Sequence, residues 1–204
     1  MTYYDDIYER AADYYGLITS ADAKEMGIPV VELGKLHKRG RLDRVGHGVY
    51  RIRHYIPTQL DGYADAVALI GRDAYLFGES VLAMHNLAPT NPATIKVATP
   101  NVVRKTLPQN LVVIKRDNDE KTTWYECIPS QTVFEAIRSC RPTMMTDRLL
   151  DATREARRQG LISEHEATQL TKEIKGELRV GRKAEMKAYR RKSYNWSSAL
   201  GVFL

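Results

Sequence analysis

Residues 16–52 read GLITSADAKEMGIPVVELGKLHKRGRLDRVGHGVYRI, and this stretch decides the fold. Gly16 can end a preceding helix by taking a left-handed conformation at little cost. Leu17 and Ile18 form a short apolar link. Thr19 or Ser20 then caps a short helix whose inner positions include Ala23 and Met26, and Gly27 stops it. Ile28 fills the turn, and Pro29 suits the first position of a further helix, where a missing N–H costs nothing. Gly40 ends that helix. Two strand-like runs follow, RLDRVG and GVYRI, around the turn signal Gly46-His47-Gly48. Tyr50 and Ile52 share one face of the second run, and Val49 and Arg51 share the other. Helix, turn, helix and basic hairpin, in that order, make a winged helix-turn-helix, a shape that sits on DNA.

Upstream, Tyr4, Ile7, Tyr8, Ala11 and Tyr15 recur at three- and four-residue spacings and give a first amphipathic helix. On the helix after Pro29, Val30, Leu33, Leu36 and His37 cluster on one side. At 100° per residue Val31, Gly34, Lys35 and Lys38 face the other way, flanked by Glu32 and Arg39. An apolar side that fixes the pose and a cationic side that meets bases and phosphates describe a recognition helix. Gly34 weakens the helix by about 1 kcal/mol relative to Ala; close approach of DNA and simple tolerance both account for it. Arg41, Arg44, His47, Arg51 and Arg53 make the hairpin basic, with Asp43 its only acid. The expected DNA-contact set is therefore Val31, Gly34, Lys35, Lys38, Arg39, Arg41, Arg44, His47 and Arg51. A solvated basic hairpin is the alternative reading of the same charges.

The pieces GLITSADA, MGIP and RLDRVGHGVYRI, from Leu17 to Ile52, closely resemble the N-terminal winged-helix domain of AbiEi-type antitoxins, which belong to the AbiE abortive-infection toxin–antitoxin systems of bacteria. The resemblance continues, more weakly, to about residue 170. There SVLAMHNL precedes a small sheet and IPSQTVFEAI stands where a strand leads into a helix. What it implies is an antitoxin, active in phage defence, that acts against a nucleotidyltransferase-like toxin encoded next door. Together with the basic face read from the residues, it points to a transcriptional autorepressor that binds its own promoter as double-stranded DNA, with self-association there left open. Neutralisation by direct contact, by modification of the toxin or without contact all stay open.

The 204 residues exceed one average domain. They divide into a winged helix-turn-helix over 1–56, a mixed α/β domain over 62–175 and a basic extension over 176–204, an α+β protein overall. In the second domain, helices are expected around Ala64–Ile70 and in GESVLAMHNL, with strands in TIKVA, NLVVIKR and TTWYECI. Pro129 and Ser130 are expected to open a helix bearing Val133, Phe134 and Ile137. Further helices run from about Thr146 to Gln159 and, behind a Ser163/Glu166 capping box, along Ala167, Leu170 and Ile174. From Lys175 to Lys192 eight cationic side chains stand against Glu177 and Glu185. That run reads as a solvated helix with auxiliary nucleic-acid contacts.

The net charge of +6 fits a polyanionic partner. Cys127 and Cys140 are the only cysteines and make neither a zinc pattern nor a disulfide framework. The acidic N-terminus lacks the build of a signal peptide and no apolar run spans a bilayer, so a cytoplasmic location without membrane contact is expected. No phosphate loop, HExxH or GxSxG motif appears, so neither catalytic residues, nor a metal site, nor a cofactor is expected. Glu173-Ile174-Lys175 matches the ExK of a nuclease core but falls on a predicted helix instead of a strand. Two rivals remain: a winged-helix regulator without a toxin, and a second domain with nuclease or modifying activity.

Overall fold

The computed structural model describes residues 2–88, 93–117 and 121–176. The basic run beyond residue 176, with Trp196 and Phe203, lies outside the described residues.

The N-terminal module is α1 (Tyr3–Ala12), β1 (Leu17–Thr19), α2 (Ser20–Glu25), α3 (Val30–Lys38), β2 (Leu42–Gly46) and β3 (Val49–Ile52). The apolar link is thus a strand: β1 pairs antiparallel with β3, setting Ile18 opposite Tyr50, and the sheet order is β1-β3-β2. Its brevity hides it, because three residues carry no readable alternation. Tyr15 (φ +55°) and Gly16 (φ +67°) together make the left-handed exit from α1. Thr19 closes a capping box on α2, its Oγ1 accepting from the Asp22 N–H at 3.1 Å while its own N–H donates to Asp22 Oδ2 at 2.9 Å. Pro29 is the N-cap of α3, so the helix starts one residue later than expected.

Ile7, Ala11, Ile18, Ala23, Leu33, Leu36, Leu42 and Ile52 close one core under the three helices. The sheet's opposite face carries Leu17 and Val49, which belong to the core of the second module. The three-stranded sheet is therefore apolar on both sides, with helices α1–α3 on one face and the following helix on the other.

That helix is α4 (Asp61–Ile70), followed by β4 (Tyr75–Leu76), α5 (Glu79–Met84), β5 (Ile95–Thr99), β6 (Leu111–Lys115), β7 (Thr122–Tyr125), β8 (Ile128–Gln131), α6 (Val133–Ser139) and α7 (Thr146–Arg158). Residues 164–176 form α8. The second sheet runs β6-β5-β4-β8-β7; β5/β6 and β4/β8 are parallel, β4/β5 and β7/β8 antiparallel. Leu76, Val97 and Leu111 share a large core with α4 to α8, while Tyr75, Phe77 and Ala98 form a small cluster by themselves. The alternation along β4 and β5 assigns these to opposite faces.

The expected helix start at Pro129 is corrected. Pro129 and Ser130 lie in β8, and the helix begins at Val133 behind Thr132, whose side chain accepts from the Glu135 N–H. Pro129 precedes Ser130, the residue that pairs with β4, so its missing donor falls outside that pairing. The Ser163/Glu166 capping box forms as read, and Ala167, Leu170 and Ile174 are buried. Among the described residues no helix is long and apolar enough to cross a membrane.

Candidate nucleic-acid interface

Helix α3 is anchored by Leu33 and Leu36, 0% and 8% exposed. Its opposite face is open: Val31 is 62% exposed, and a Cβ built on Gly34 would meet nothing within 4 Å. Lys35 extends across this face and donates to Glu32 Oε1 at 2.6 Å, a single turn back along the helix. An exposed pair of this kind contributes little and exchanges readily for a phosphate. Lys38 and Arg39 are exposed at the C-terminal end, where cations also suit the helix dipole.

The flanking chain extends this basic surface. Arg41 is exposed with its guanidinium 4.9 Å from the Tyr4 ring, and Arg53 Nη1 donates to the Gly40 carbonyl at 3.3 Å. Arg53 thus stands beside the end of α3, next to residues assigned to DNA contact. His37 is tied down locally, its Nδ1 bonded to the Leu42 carbonyl at 2.8 Å and its ring tilted against Tyr50. Arg44 is exposed and donates through Nε to the Gly46 carbonyl at 3.3 Å.

The hairpin does not project freely as a wing. A Cβ on Gly46 would come within 2.3 Å of Leu69 Cδ2 in α4, so the strand leans directly on that helix. His47, at the tip, is exposed and borders a cleft between the two modules. Arg51 departs furthest from expectation. Its Nη2 and Nη1 donate to Asp65 Oδ1 and Oδ2 at 2.8 and 3.3 Å, its Nε donates to the Tyr15 carbonyl at 3.0 Å, and Asp61 Oδ2 lies 3.8 Å away. The side chain is 18% exposed, with its charge directed at α4 and away from solvent. Of the nine expected contact residues, Arg51 is the one whose charge is turned toward α4. Alternation placed it correctly on the face opposite Tyr50 and Ile52, but that face is covered by α4.

Burial pushes the Asp65 carboxyl above the usual aspartate range, partly offset by the Arg51 charge. Tyr55 donates to Asp61, Tyr15 donates to the Glu126 carbonyl at 2.6 Å, and Arg72 pairs with Glu25, so several separate polar ties join the modules beside Arg51 and Asp65.

In the second module Glu173 accepts from Arg138 at 3.2 Å and Arg141 at 2.8 Å, and Ile174 is 2% exposed. The ExK triplet is helix surface packed against α6. Among the described residues no group of three or more His, Cys, Asp or Glu could hold a metal ion. His85 is buried against Tyr125, ring centroids 4.2 Å apart, and burial depresses its pKa.

Residues 5–53 match the family model described as "Transcriptional regulator, AbiEi antitoxin", so the resemblance read from Leu17 to Ile52 holds across the N-terminal module. No curated protein matches the chain. Among solved structures, the RV2827C protein from Mycobacterium tuberculosis is similar at 13% identity and a TM-score of 0.39, covering 84% of this chain and 81% of that chain.

Proposed function

We propose that this protein is a DNA-binding autorepressor and antitoxin, with residues 1–56 contacting its own promoter and residues 62–175 carrying the action against a nucleotidyltransferase-like toxin. The observation that carries the DNA-binding half is the open face of α3: Gly34 and Val31 offer a flat approach, and Lys35, Lys38 and Arg39 line it with charge. In this reading α3 enters a major groove and Lys35 and Lys38 reach bases or phosphates. Arg39, Arg41, Arg44 and His47 hold the adjacent backbone, and Arg51 acts as a brace to α4. The antitoxin half is supported by the family match over residues 5–53. The protein needs no cofactor in this role and performs no catalysis; the pairing of Glu173 with two arginines supports that against a nuclease.

Lys35→Ala with Lys38→Ala tests the assignment. The double variant should bind the promoter fragment more weakly, and the slope of log affinity against log salt should shallow by about 0.9 for each phosphate that is no longer neutralised. Unchanged affinity and slope would remove α3 from the interface. The antitoxin role is tested separately by co-expression with a neighbouring nucleotidyltransferase-like gene, scoring growth. Rescue by the full chain supports it; absence of such a gene favours a winged-helix regulator acting alone.

A further inference from the structure

A cleft of about 580 Å³ opens between the two modules and takes no part in the proposed DNA contacts of α3. Its volume lies within the range of small-molecule sites, which favour such junctions. The floor is apolar: Leu17 and Val49 of the first sheet, Ala64, Val67 and Ala68 of α4, and Ile128 of β8. Aromatic walls rise from it. Trp124 is 67% exposed and Tyr14 37%, so two flat rings stand at the rim.

The polar lining is cationic in balance, with Arg10, Lys24, Arg72 and Lys105 against Asp22 and Glu25. Arg72 is held by Glu25 and lies 4.0 Å from Asp22, which also faces Arg10 at 3.9 Å. The carboxylates are thereby engaged, and Lys24 is exposed without an ion pair among the described residues. Tyr15 and Cys127 also line the cleft, and the Tyr15 hydroxyl donates to the carbonyl of Glu126 in the two-residue β7–β8 turn.

We propose that this cleft binds a planar aromatic anion, a ring bearing a carboxylate or a phosphate, and that the ligand acts as an effector of the DNA-binding module. The ring lies on the apolar floor beside Trp124 and Tyr14, and the anion meets Lys24 and Arg10. One side of the cleft is α2 and the wing tip, the other α4 and the β7–β8 turn, so an occupant touches both modules and biases their relative placement. The effector half rests on the DNA-binding reading above; the site itself does not.

The test uses the full chain carrying Trp196→Phe, which leaves Trp124 as the only tryptophan. Its indole N–H resonance is followed while 2-naphthoate, for the carboxylate, or 2-naphthyl phosphate, for the phosphate, is added without DNA. Saturable shifts with a Kd below about 1 mM are expected for one probe, and Lys24→Ala and Ala68→Phe should each weaken it about tenfold. The responding probe identifies the anion. Should Ala68→Phe fail to fold by thermal melt, Lys24→Ala carries the comparison alone. Absence of saturation with both probes overturns the site, as does binding indifferent to the substitutions. With the ligand present, affinity for the promoter fragment should change about fivefold or more. Unchanged affinity overturns the effector role while leaving the site. A protein that binds no promoter at all refutes the DNA-binding reading and leaves the titration intact.

Discussion

Replacing Arg51 by Met keeps the apolar stem of the side chain and deletes the charge that joins β3 to α4. Two hydrogen bonds to Asp65 and one to the Tyr15 carbonyl disappear, as does the cation over the Tyr55 ring at 5.2 Å. A hydrogen bond to a charged group contributes about 1.5–3 kcal/mol, and stripping the partner from a fully buried ion costs about 3–5 kcal/mol. Asp65 retains 25% side-chain exposure, so water recovers part of that loss. We expect a destabilisation of about 2–3 kcal/mol at neutral pH, which for a chain of this size lowers Tm by roughly 4–12 °C. The effect should depend on pH with a definite sign. The Asp65 carboxyl is already raised from its ordinary value of 3.8 by burial, so the folded state takes up a proton more readily than the unfolded chain. Its contribution is most favourable below 3.8 and weakens as pH rises through the raised value. Without Arg51 that value rises further, and the deficit of the variant should shrink as pH falls from 7 toward 5. Asp65→Asn in the Arg51→Met background removes the stranded carboxylate and should restore part of the Tm at pH 7. Thermal melts of the wild type and the two variants across that pH range make the measurement, beside promoter titrations against salt. An unchanged Tm together with a shallower salt slope would refute the brace and return Arg51 to the DNA.

Gly34→Ala should stabilise the protein by up to about 1 kcal/mol, because the position is helical and its surroundings are empty. The same change should weaken promoter binding if DNA passes close to α3; a gain in Tm with unaltered affinity would assign Gly34 to tolerance. Gly16→Ala should cost about 2 kcal/mol or more in a urea melt, since a φ of +67° is unfavourable for Ala and the added Cβ would lie 2.8 Å from the Tyr55 ring. A neutral result would mean that this exit from α1 relaxes easily. Burial pushes the Cys140 thiol up to about 12, whereas Cys127 is exposed, so a disulfide exchange reagent should titrate one thiol in the native protein and two in denaturant. Burial depresses the pKa of His85, so the stability it contributes is present above the ordinary value of 6.5 and is lost as pH falls through its lowered value. His85→Phe should remove that acid sensitivity from the melting curve; an unaltered pH profile would assign it to other groups.

Most of the N-terminal fold is legible because each of its punctuation marks has a local cause. Gly16, Gly27 and Gly40 all take positive φ, and Thr19 and Asp22 close their capping box within four residues. The capping box at Ser163 and the stop at Gly160 are legible for the same reason. Features that depend on distant chain are different. β1 is only three residues long and exists because β3 supplies its hydrogen bonds, while β4 has two residues and pairs with β5 and β8, both far along the sequence. No window of a few residues contains that information.

The same distinction separates the eight expected contact residues that stay exposed or open from the one that does not. Alternation along β3 sorts Tyr50 and Ile52 from Val49 and Arg51 correctly, yet it assigns faces without naming what lies on them. A basic residue on the face away from the helical core reads as solvent-directed only while the hairpin is taken to be a free wing. Leu17 and Val49 share the face of Arg51, and both are buried. Three strands with apolar residues on both sides must be covered twice, and α4 provides the second cover. The acids spaced along its first turns, Asp61 and Asp65, lie on one helical stripe and meet the guanidinium there. The pairing of an apolar-faced Arg in a short strand with two acids four residues apart in the next helix was therefore written in the sequence. Reading it requires asking what closes the second face of the sheet before asking what the charge binds.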